Sequence, residues 1–202
     1  TDQTSQIARK AGAKTLYLAK AGYGRACLAG VAGAGACDIL VFLDADGADF
    51  PEQMDRLLRP IIEEEADMVI GSRTLGQVEA GALTLPQRFG NRLACALIGL
   101  FWGYAYTDLG PFRAIRKTAY DRLNMSAKTY GWTVQMQVRA LAKGLRVAEA
   151  PVDYARRIGV SKISGTVKGV ILAGTYIIAT IFIECARDKL AVLSLPAKDQ
   201  KR

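Results

Sequence analysis

The first half of the chain alternates continuous apolar runs with segments that are apolar on one side only. Residues 39–43 (ILVFL) predict a strand buried on both faces, and residues 67–71 (DMVIG) predict a second one. Between them, apolar positions at helical spacing predict a helix over 54–62, capped by Asp49 and kinked at Pro60. Three further elements are predicted in this half: helices over 6–11 and 25–34, and a strand over 15–19. This alternation predicts an α/β fold with a mainly parallel central sheet and helices on both faces.

The second half is more helical and less regular. Apolar residues between 89 and 101 line one helical face, residues 132–142 predict another helix, and residues 146–151 predict a strand. Two stretches of fifteen residues, 93–107 and 169–183, carry no charge. Both are shorter than the roughly 20 residues that a membrane-spanning helix needs. We interpret each first as a buried helix and second as a helix in a membrane interface.

Composition excludes several classes of site. The 202 residues include no histidine, which rules out histidine-based catalytic triads and histidine-ligated zinc or haem. The four cysteines form no CxxC pair, so they predict neither a zinc site nor a disulfide framework, and they fit a reducing compartment. Two GxG segments, 22–24 and 33–35, lack the third glycine of a dinucleotide-binding fingerprint, and there is no Walker A sequence. A Rossmann dehydrogenase or a P-loop ATPase is therefore not expected.

Charge is unevenly distributed along the chain. Residues 1–108 carry 10 basic and 13 acidic side chains, residues 109–202 carry 17 basic and 6 acidic ones, and the net charge is +8. A basic half attracts anions such as phosphorylated substrates, anionic lipid headgroups or nucleic acid. Nucleic acid is the least favoured partner, because the basic residues form no dense run and no nucleic-acid-binding motif is present. The alternative interpretation is a solvated basic surface.

Two carboxylates separated by one residue, Asp44 and Asp46, follow the apolar run 39–43. Open α/β sheets bind ligands at the carboxyl ends of their strands, and residues i and i+2 of an extended chain point to the same side. Such a pair can hold one hard divalent cation, which would bridge the two phosphates of a nucleotide diphosphate. The pattern predicts a Mg²⁺ or Mn²⁺ site, and the alternative is a solvated strand end.

Six blocks of sequence resemble family 2 glycosyltransferases in their residues and in their order. They are ILVFLDADGADFPEQ, MVIGSR, QRFGNRL, TDLGPFRAIR, YGWTVQMQ and RRIGVSKISG. The chain is most similar to the dolichyl-phosphate mannose synthase and polyprenyl-phosphate glycosyltransferase group, over most of its length. The resemblance implies a GT-A fold that binds a nucleotide-sugar donor, and an inverting transfer of the sugar.

The resemblance also implies roles for individual residues. Asp44 and Asp46 would carry the metal ion, and Asp46 would be essential for catalysis. Three arginines would lie near the diphosphate or the acceptor phosphate: Arg73, Arg88 and Arg113. Ser161 and Lys162 match a serine–lysine pair in a loop that closes over the site, and Arg157 precedes them.

The sequence departs from the family pattern in two places. Family members open with an apolar strand and an acidic segment that hold the nucleotide, and we expect this chain, which begins at Thr1, to lack that strand. Where the mannose synthases often have a glutamine as a metal ligand, this chain has Ala48. Asp49 beside it could substitute, although capping is its preferred role. The expected organisation is a catalytic domain over 1–165, followed over 166–202 by an apolar helix and a basic tail.

The chemical class of the acceptor can be inferred from the side chains that would activate or bind it. A hydroxyl acceptor needs a general base, and without histidine the carboxylate of Asp108 is the best placed. A lipid phosphate needs no base, because its second pKa is about 6, but it needs cations. The second half and its neighbourhood supply these: Arg88, Arg113, Arg156, Arg157 and Lys162. Polyprenyl phosphate is the preferred acceptor, and a hydroxyl of a lipid or polysaccharide, with Asp108 as base, is the alternative.

These observations predict a cytoplasmic enzyme that is peripheral to a membrane. The charge-free part of residues 167–183 would extend about 22 Å as a helix, which is less than the roughly 30 Å of a hydrocarbon core. Basic residues flank it and fit contact with anionic headgroups: Lys162, Lys168, Arg187 and Lys189. The alternative from a different class is a non-catalytic, anion-binding protein of the membrane surface.

Overall fold

A four-stranded sheet organises the residues that the computed structural model describes, which are 3–159 and 167–193. The strands, in chain order, are β1 (Ile39–Phe42), β2 (Met68–Ser72), β3 (Arg113–Arg116) and β4 (Val147–Pro151). Their order across the sheet is β1-β3-β2-β4. Strand β3 is antiparallel to both of its neighbours, whereas β2 and β4 are parallel.

Helices cover both faces of the sheet, as the sequence pattern predicts. They are α1 (Thr4–Lys10), α2 (Tyr23–Gly33), α3 (Met54–Ile62), α4 (Leu85–Trp102), α5 (Lys117–Leu123), α6 (Trp132–Ala142) and α7 (Val167–Leu193), with a 3₁₀ turn over Pro51–Gln53 before α3. Because successive strand residues point to opposite faces, Met68 and Ile70 belong to the large core formed with α4 and α6. Val69 belongs to a smaller core with α3 on the other face. The α/β class and the apolar C-terminal helix are confirmed.

The directions of the strands correct the expected sheet. Strands β1, β2 and β4 run the same way, which is what strand–helix alternation predicts. Strand β3 lies between β1 and β2 and runs against both, so the sheet is mostly antiparallel. Its sequence, RAIR, carries no alternating or continuous apolar pattern, and it was therefore not predicted as a strand.

Most of the other predicted elements are confirmed. The strands over 39–43, 67–71 and 146–151 correspond to β1, β2 and β4, and the helix over 132–142 is α6. The prediction of a strand over 15–19 is wrong. This segment pairs with no described strand, and Leu16 and Tyr17 are exposed. The predicted boundary at 165/166 falls outside the described residues.

Helix α7 is anchored to α6 by packing and by charge. Ile181 is fully buried, and Thr180 approaches Gly131 so closely that a Cβ at residue 131 would overlap with its hydroxyl group. The buried carboxylate of Glu184 accepts hydrogen bonds from Nε and Nη2 of Arg139 at 2.9 and 2.8 Å. A buried ion pair therefore fixes the inner face of α7 to the rest of the molecule.

The outer face of α7 is apolar and exposed. It carries Leu172, Tyr176, Ile183 and Leu190. Within Gly169–Leu190, which is long and apolar enough to cross a membrane by length and composition, only 17% of the most apolar window is buried. Helix α7 has 27 residues, which corrects the expectation that it is too short to cross a membrane. Burial, the first interpretation of residues 169–183, holds for one face of the helix only.

The Arg139–Glu184 pair predicts the stability of a variant. Glu184→Gln leaves the guanidinium of Arg139 buried without a counter-charge, so we expect the free energy of unfolding to fall by about 3–5 kcal/mol. Denaturant unfolding in mild detergent measures this. The matched control is Asp121→Asn, which breaks the exposed Lys117–Asp121 pair and should change the value by about 0–1 kcal/mol. An equal effect of the two variants would contradict the anchoring role.

The same pair predicts a pH dependence. Burial raises the pKa of Glu184, but hydrogen bonds from Arg139 and Gln135 lower it by more, so the pKa lies below its ordinary value of 4.5. The stability from this pair is therefore complete above about pH 4.5 and is lost as the pH falls through the lower pKa of the folded state. The difference in unfolding free energy between wild type and Glu184→Gln should shrink below about pH 4. A difference that persists unchanged at lower pH would contradict this.

Candidate active site

The two aspartates predicted to bind metal lie in a tight loop after β1. The backbone N–H of Asp44 donates to Oδ2 of Asp49 at 3.0 Å, and the backbone N–H of Ala48 donates to Oδ1 of Asp46 at 3.0 Å. Gly47 has a φ of 76°, the left-handed conformation that favours glycine. These contacts hold Asp44 and Asp46 half-buried at the carboxyl end of β1.

Asp49 closes this loop and does not cap a helix, which corrects the sequence prediction. No side chain caps the 3₁₀ turn after Phe50 or the start of α3. The Oδ1 atom of Asp49 is buried without a hydrogen-bond partner among the described residues, and burial raises the pKa of this carboxyl to about 6. An aspartate between a strand and a helix can accept a hydrogen bond from the preceding loop or from the start of the helix. Here Asp49 accepts from the backbone N–H of Asp44 in the loop.

The electrostatics of Asp44 and Asp46 fit a cation. The pKa of Asp44 is raised, first by burial and then by the negative charge of Asp46. A divalent cation would remove this repulsion, and carboxylate oxygens are ligands that Mg²⁺ and Mn²⁺ prefer. The described part of the chain contains no group of three or more His, Cys, Asp or Glu side chains that could hold a metal. Asp44 and Asp46 could therefore supply only part of the ligands of such an ion.

The segment after β4 lies along the loop of residues 44–49, which we call the aspartate loop. The backbone N–H of Ala155 donates to the carbonyl of Ala48 at 2.9 Å, and the backbone N–H of Ile158 donates to the carbonyl of Asp46 at 2.7 Å. Between these contacts, the guanidinium of Arg157 forms an ion pair with Oδ2 of Asp46. The structure thus brings Arg157 to the predicted metal site.

The residues around Arg157 have other positions. Arg156 points away from Asp46, because its backbone N–H donates to Glu79 at 2.7 Å and its Nε donates to the carbonyl of Ala80 at 2.6 Å. This corrects its expected place among the phosphate-binding cations. Ser161 and Lys162 lie outside the described residues, so their role in a closing loop stays a prediction.

A buried ion pair joins the end of β2 to the loop before β3. Arg73, directly after β2, donates from Nε to Oδ2 of Asp108 at 2.7 Å and from Nη2 to Oδ1 at 2.8 Å. The backbone N–H of Arg73 adds a third bond to Oδ2 at 2.8 Å. The guanidinium also lies over the ring of Tyr154, 5.0 Å from its centroid. Arg73 is therefore held rigidly beside the site.

This pairing does not suit Asp108 to be a general base. The residue is 1% exposed, and both of its carboxylate oxygens accept hydrogen bonds from Arg73. Both oxygens are thus held in a bidentate pair with a guanidinium, inside the molecule. The geometry therefore gives Asp108 a positioning role for Arg73.

Arg113, predicted to lie near a phosphate, is instead enclosed inside the molecule. The side chain is 0% exposed, and its guanidinium donates to backbone carbonyls of Thr133 at 2.9 Å, Leu109 at 3.3 Å and Gly110. Burial lowers the pKa of Arg113. The arginine thus fixes the loop before β3 from inside the molecule.

A groove of about 590 Å³ lies between the first half of α4 and the first half of α7. Arg73 and Asp108 are at one wall, and exposed Arg88 and Arg92 lie on α4, one helical turn apart. The α7 wall consists of apolar or small residues: Val170, Ala173, Gly174 and Ile177. The groove thus combines three arginines with an apolar surface.

The groove contains two residues that were not singled out from the sequence. Arg92 lies four residues after Arg88, and this spacing within the QRFGNRL block was the available signal. Asn91 accepts from the backbone N–H of Leu109 at 2.9 Å and donates to the carbonyl of Thr107 at 3.2 Å. Asn91 therefore ties α4 to the loop that carries Asp108.

A second cavity, of about 460 Å³, lies between α2 and β1. Tyr23, Cys27, Phe42 and Asp44 line part of it, and β1 is an edge strand of the described sheet.

Comparison with known proteins identifies the family. The profile described as glycosyl transferase family 2 matches residues 1–123. The chain therefore belongs to glycosyl transferase family 2, and it is an enzyme of the glycosyltransferase class.

Similar proteins include enzymes that are named for polyprenyl phosphates. An undecaprenyl-phosphate mannosyltransferase of Micrococcus luteus is 32% identical over 137 residues, which are 65% of this chain and 56% of that protein. A polyprenol monophosphomannose synthase of Mycolicibacterium smegmatis is 31% identical over 154 residues, 73% of this chain and 58% of that protein. This chain thus matches little more than half the length of either enzyme. The resemblance to the polyprenyl-phosphate glycosyltransferase group is confirmed.

Solved structures support the GT-A-like fold. Glucosyl-3-phosphoglycerate synthase from Mycobacterium tuberculosis, in complex with Mn²⁺, UDP-glucose and phosphoglyceric acid, has a TM-score of 0.70 at 19% identity. The match covers 92% of this chain and 65% of that structure. At this identity the similarity defines the fold alone.

The role of Asp108 can be tested through stability. Asp108→Asn removes the counter-charge of buried Arg73, so we expect the free energy of unfolding to fall by about 3–5 kcal/mol. Asp46→Asn, at a half-exposed carboxylate, should cost about 1 kcal/mol or less. Denaturant unfolding of both variants measures the two values. A stability of Asp108→Asn equal to wild type would contradict the positioning role and restore Asp108 as a candidate base.

Proposed function

We propose that this chain transfers a sugar from a nucleotide-diphosphate donor to a polyprenyl phosphate, with inversion at the anomeric carbon. The observation that carries the proposal is the groove between α4 and α7. It places Arg73, Arg88 and Arg92 beside an apolar wall, and it adjoins the aspartate loop through Arg73. A phosphate attached to a long apolar chain is the ligand that needs both features at once.

The donor would bind at the aspartate loop. Asp44 and Asp46 would hold Mg²⁺ or Mn²⁺, which stabilises the charge that develops on a leaving diphosphate. Arg157, which pairs with Asp46 in this loop, would be available to the diphosphate oxygens. Its planar guanidinium can bind two of these oxygens together.

The acceptor would need orientation more than activation. A lipid phosphate is largely dianionic at neutral pH, so one of its oxygens can attack the anomeric carbon without a base. The bond between that carbon and the diphosphate breaks with its electron pair on the leaving group. Arg88 and Arg92 would hold the acceptor phosphate, and the α7 wall would contact the first part of the polyprenyl chain.

The alternatives have less support. A hydroxyl acceptor requires a base, and the candidate Asp108 is engaged by Arg73 through both oxygens. In a non-catalytic anion-binding protein, the two neighbouring carboxylates of Asp44 and Asp46 would repel the ligand. Transfer to polyprenyl phosphate uses both the acidic loop and the basic groove.

The proposed reaction places the enzyme at the cytoplasmic face of a membrane. The outer face of α7 would lie on the lipid. Helix α4 carries further exposed apolar residues that could join this contact: Leu85, Phe89, Leu93 and Leu100. Crossing the bilayer would separate Glu184 from Arg139, so the docked helix supports an in-plane position. Arg187 and Lys189 would meet anionic headgroups.

The acceptor groove predicts the effect of single substitutions on transfer. Arg88→Ala and Arg92→Ala should each lower the single-turnover rate with polyprenyl phosphate about 10- to 100-fold, because each removes a charge-assisted contact of about 1.5–3 kcal/mol. Asp46→Asn should nearly abolish transfer. Arg56→Ala, on α3 beyond the sheet, is the control and should leave the rate unchanged. Equal rates for Arg88→Ala, Arg92→Ala and wild type would place the acceptor elsewhere.

Membrane attachment can be measured by flotation with liposomes. The full chain should float with vesicles that contain anionic lipid, and less so at high salt. The double variant Leu172→Glu, Ile183→Glu should lose this binding, because it places two charges on the outer face of α7. Ile62→Glu, which changes an exposed apolar residue on α3, is the matched control and should still float. Loss of flotation by Ile62→Glu alone would contradict the assignment.

A further inference from the structure

We propose that Arg157 is a placeholder for the metal ion on Asp46. Without a metal ion, the guanidinium of Arg157 pairs with the carboxylate of Asp46. When the metal binds, this guanidinium moves from Asp46 to the diphosphate of the donor. This inference rests on the proposed function, because it concerns the same donor site. It gives Arg157 two successive partners, a carboxylate before the cation binds and a phosphate afterwards.

The contacts of Asp46 make the two cations competitors. One carboxylate oxygen accepts the N–H of Ala48 at 3.0 Å, and the other pairs with Arg157. Each carboxylate oxygen has a second lone pair for a metal ion, but an ion on the oxygen that pairs with Arg157 would lie beside a positive guanidinium. This repulsion between the two cations makes metal binding weaker while the ion pair is in place. The N–H bond closes the loop itself, whereas the ion pair is made by a side chain that is 35% exposed and can leave.

The backbone around Arg157 allows the exchange without a loop movement. Residues on either side of it, Ala155 and Ile158, are held to the aspartate loop through backbone hydrogen bonds of 2.9 and 2.7 Å. The guanidinium alone has to move, and the flexible arginine stem allows it to rotate. The released guanidinium would stay beside the loop at which the donor is proposed to bind.

The exchange couples metal and diphosphate binding. Without a metal ion, the positive charge of Arg157 offsets part of the repulsion between Asp44 and Asp46. Once it binds, the divalent cation takes over that task and frees a positive charge for the phosphates. Each ligand therefore raises the affinity for the other, as linkage requires.

Mn²⁺ binding tests this directly. Electron paramagnetic resonance titration of the full chain, without nucleotide, measures free Mn²⁺ for wild type, Arg157→Gln and Arg156→Gln. Arg157→Gln should bind Mn²⁺ about three- to fivefold more tightly, because a competing, partly exposed ion pair is gone. Arg156→Gln is the matched control, since Arg156 contacts Glu79 and Ala80, and its Mn²⁺ affinity should equal that of wild type.

The second arm measures nucleotide binding at saturating Mn²⁺, with UDP and GDP as probes. Arg157→Gln should lose about tenfold or more in affinity for the nucleotide that wild type binds, because one charge-assisted contact is missing. Arg157→Lys should lie between wild type and Arg157→Gln in both arms. It also replaces Arg157→Gln if that variant does not fold.

The outcomes separate this inference from the proposed function. Equal or weaker Mn²⁺ binding by Arg157→Gln would overturn the placeholder role and leave the transferase intact. Unchanged UDP and GDP affinity would overturn the transfer of Arg157 to the diphosphate. Asp46→Asn must abolish Mn²⁺ binding at this site, and if it binds Mn²⁺ as wild type does, the metal assignment falls and the placeholder with it.

Discussion

The ion pair between Arg73 and Asp108 is the contact on which the arrangement of the site depends. Arg73 follows β2 directly, and Asp108 lies in the loop that leads to β3, so the pair joins neighbouring strand ends. The guanidinium also lies over Tyr154, which forms a β-bridge with Asp49 in the aspartate loop. Through one buried pair, the aspartate loop, the groove and the segment that carries Arg157 are held in a fixed relation.

The sequence pattern identifies strand ends well and buried charges poorly. Asp44 and Asp46 could be found because a continuous apolar run marks the strand before them. The position of Arg113 could not, because its partners are backbone carbonyls, which have no signature in the sequence. The pairing of Asp108 could not be predicted either, because its partner Arg73 is 35 residues away in the sequence. Each of the two residues alone is of a type that is common in active sites.

The sheet illustrates the same limit for local structure. Residues 15–19, TLYLA, have the composition of a strand, but no described strand accepts them. Strand β3, RAIR, has two arginines in four residues, yet it pairs with β1 on one edge and β2 on the other. Hydrogen bonding to two neighbouring strands outweighs the weak strand propensity of this segment. A single sequence does not show which segment will lie between two other strands.

Gly131 has a consequence for the thickness of the molecule at α7. The side chain of Thr180 lies directly against Gly131 at the start of α6, where no other side chain would fit. One added methyl group at residue 131 would push α7 outward, so the molecule would become thicker at this helix. The apolar wall that residues 170–177 give to the groove would move with α7.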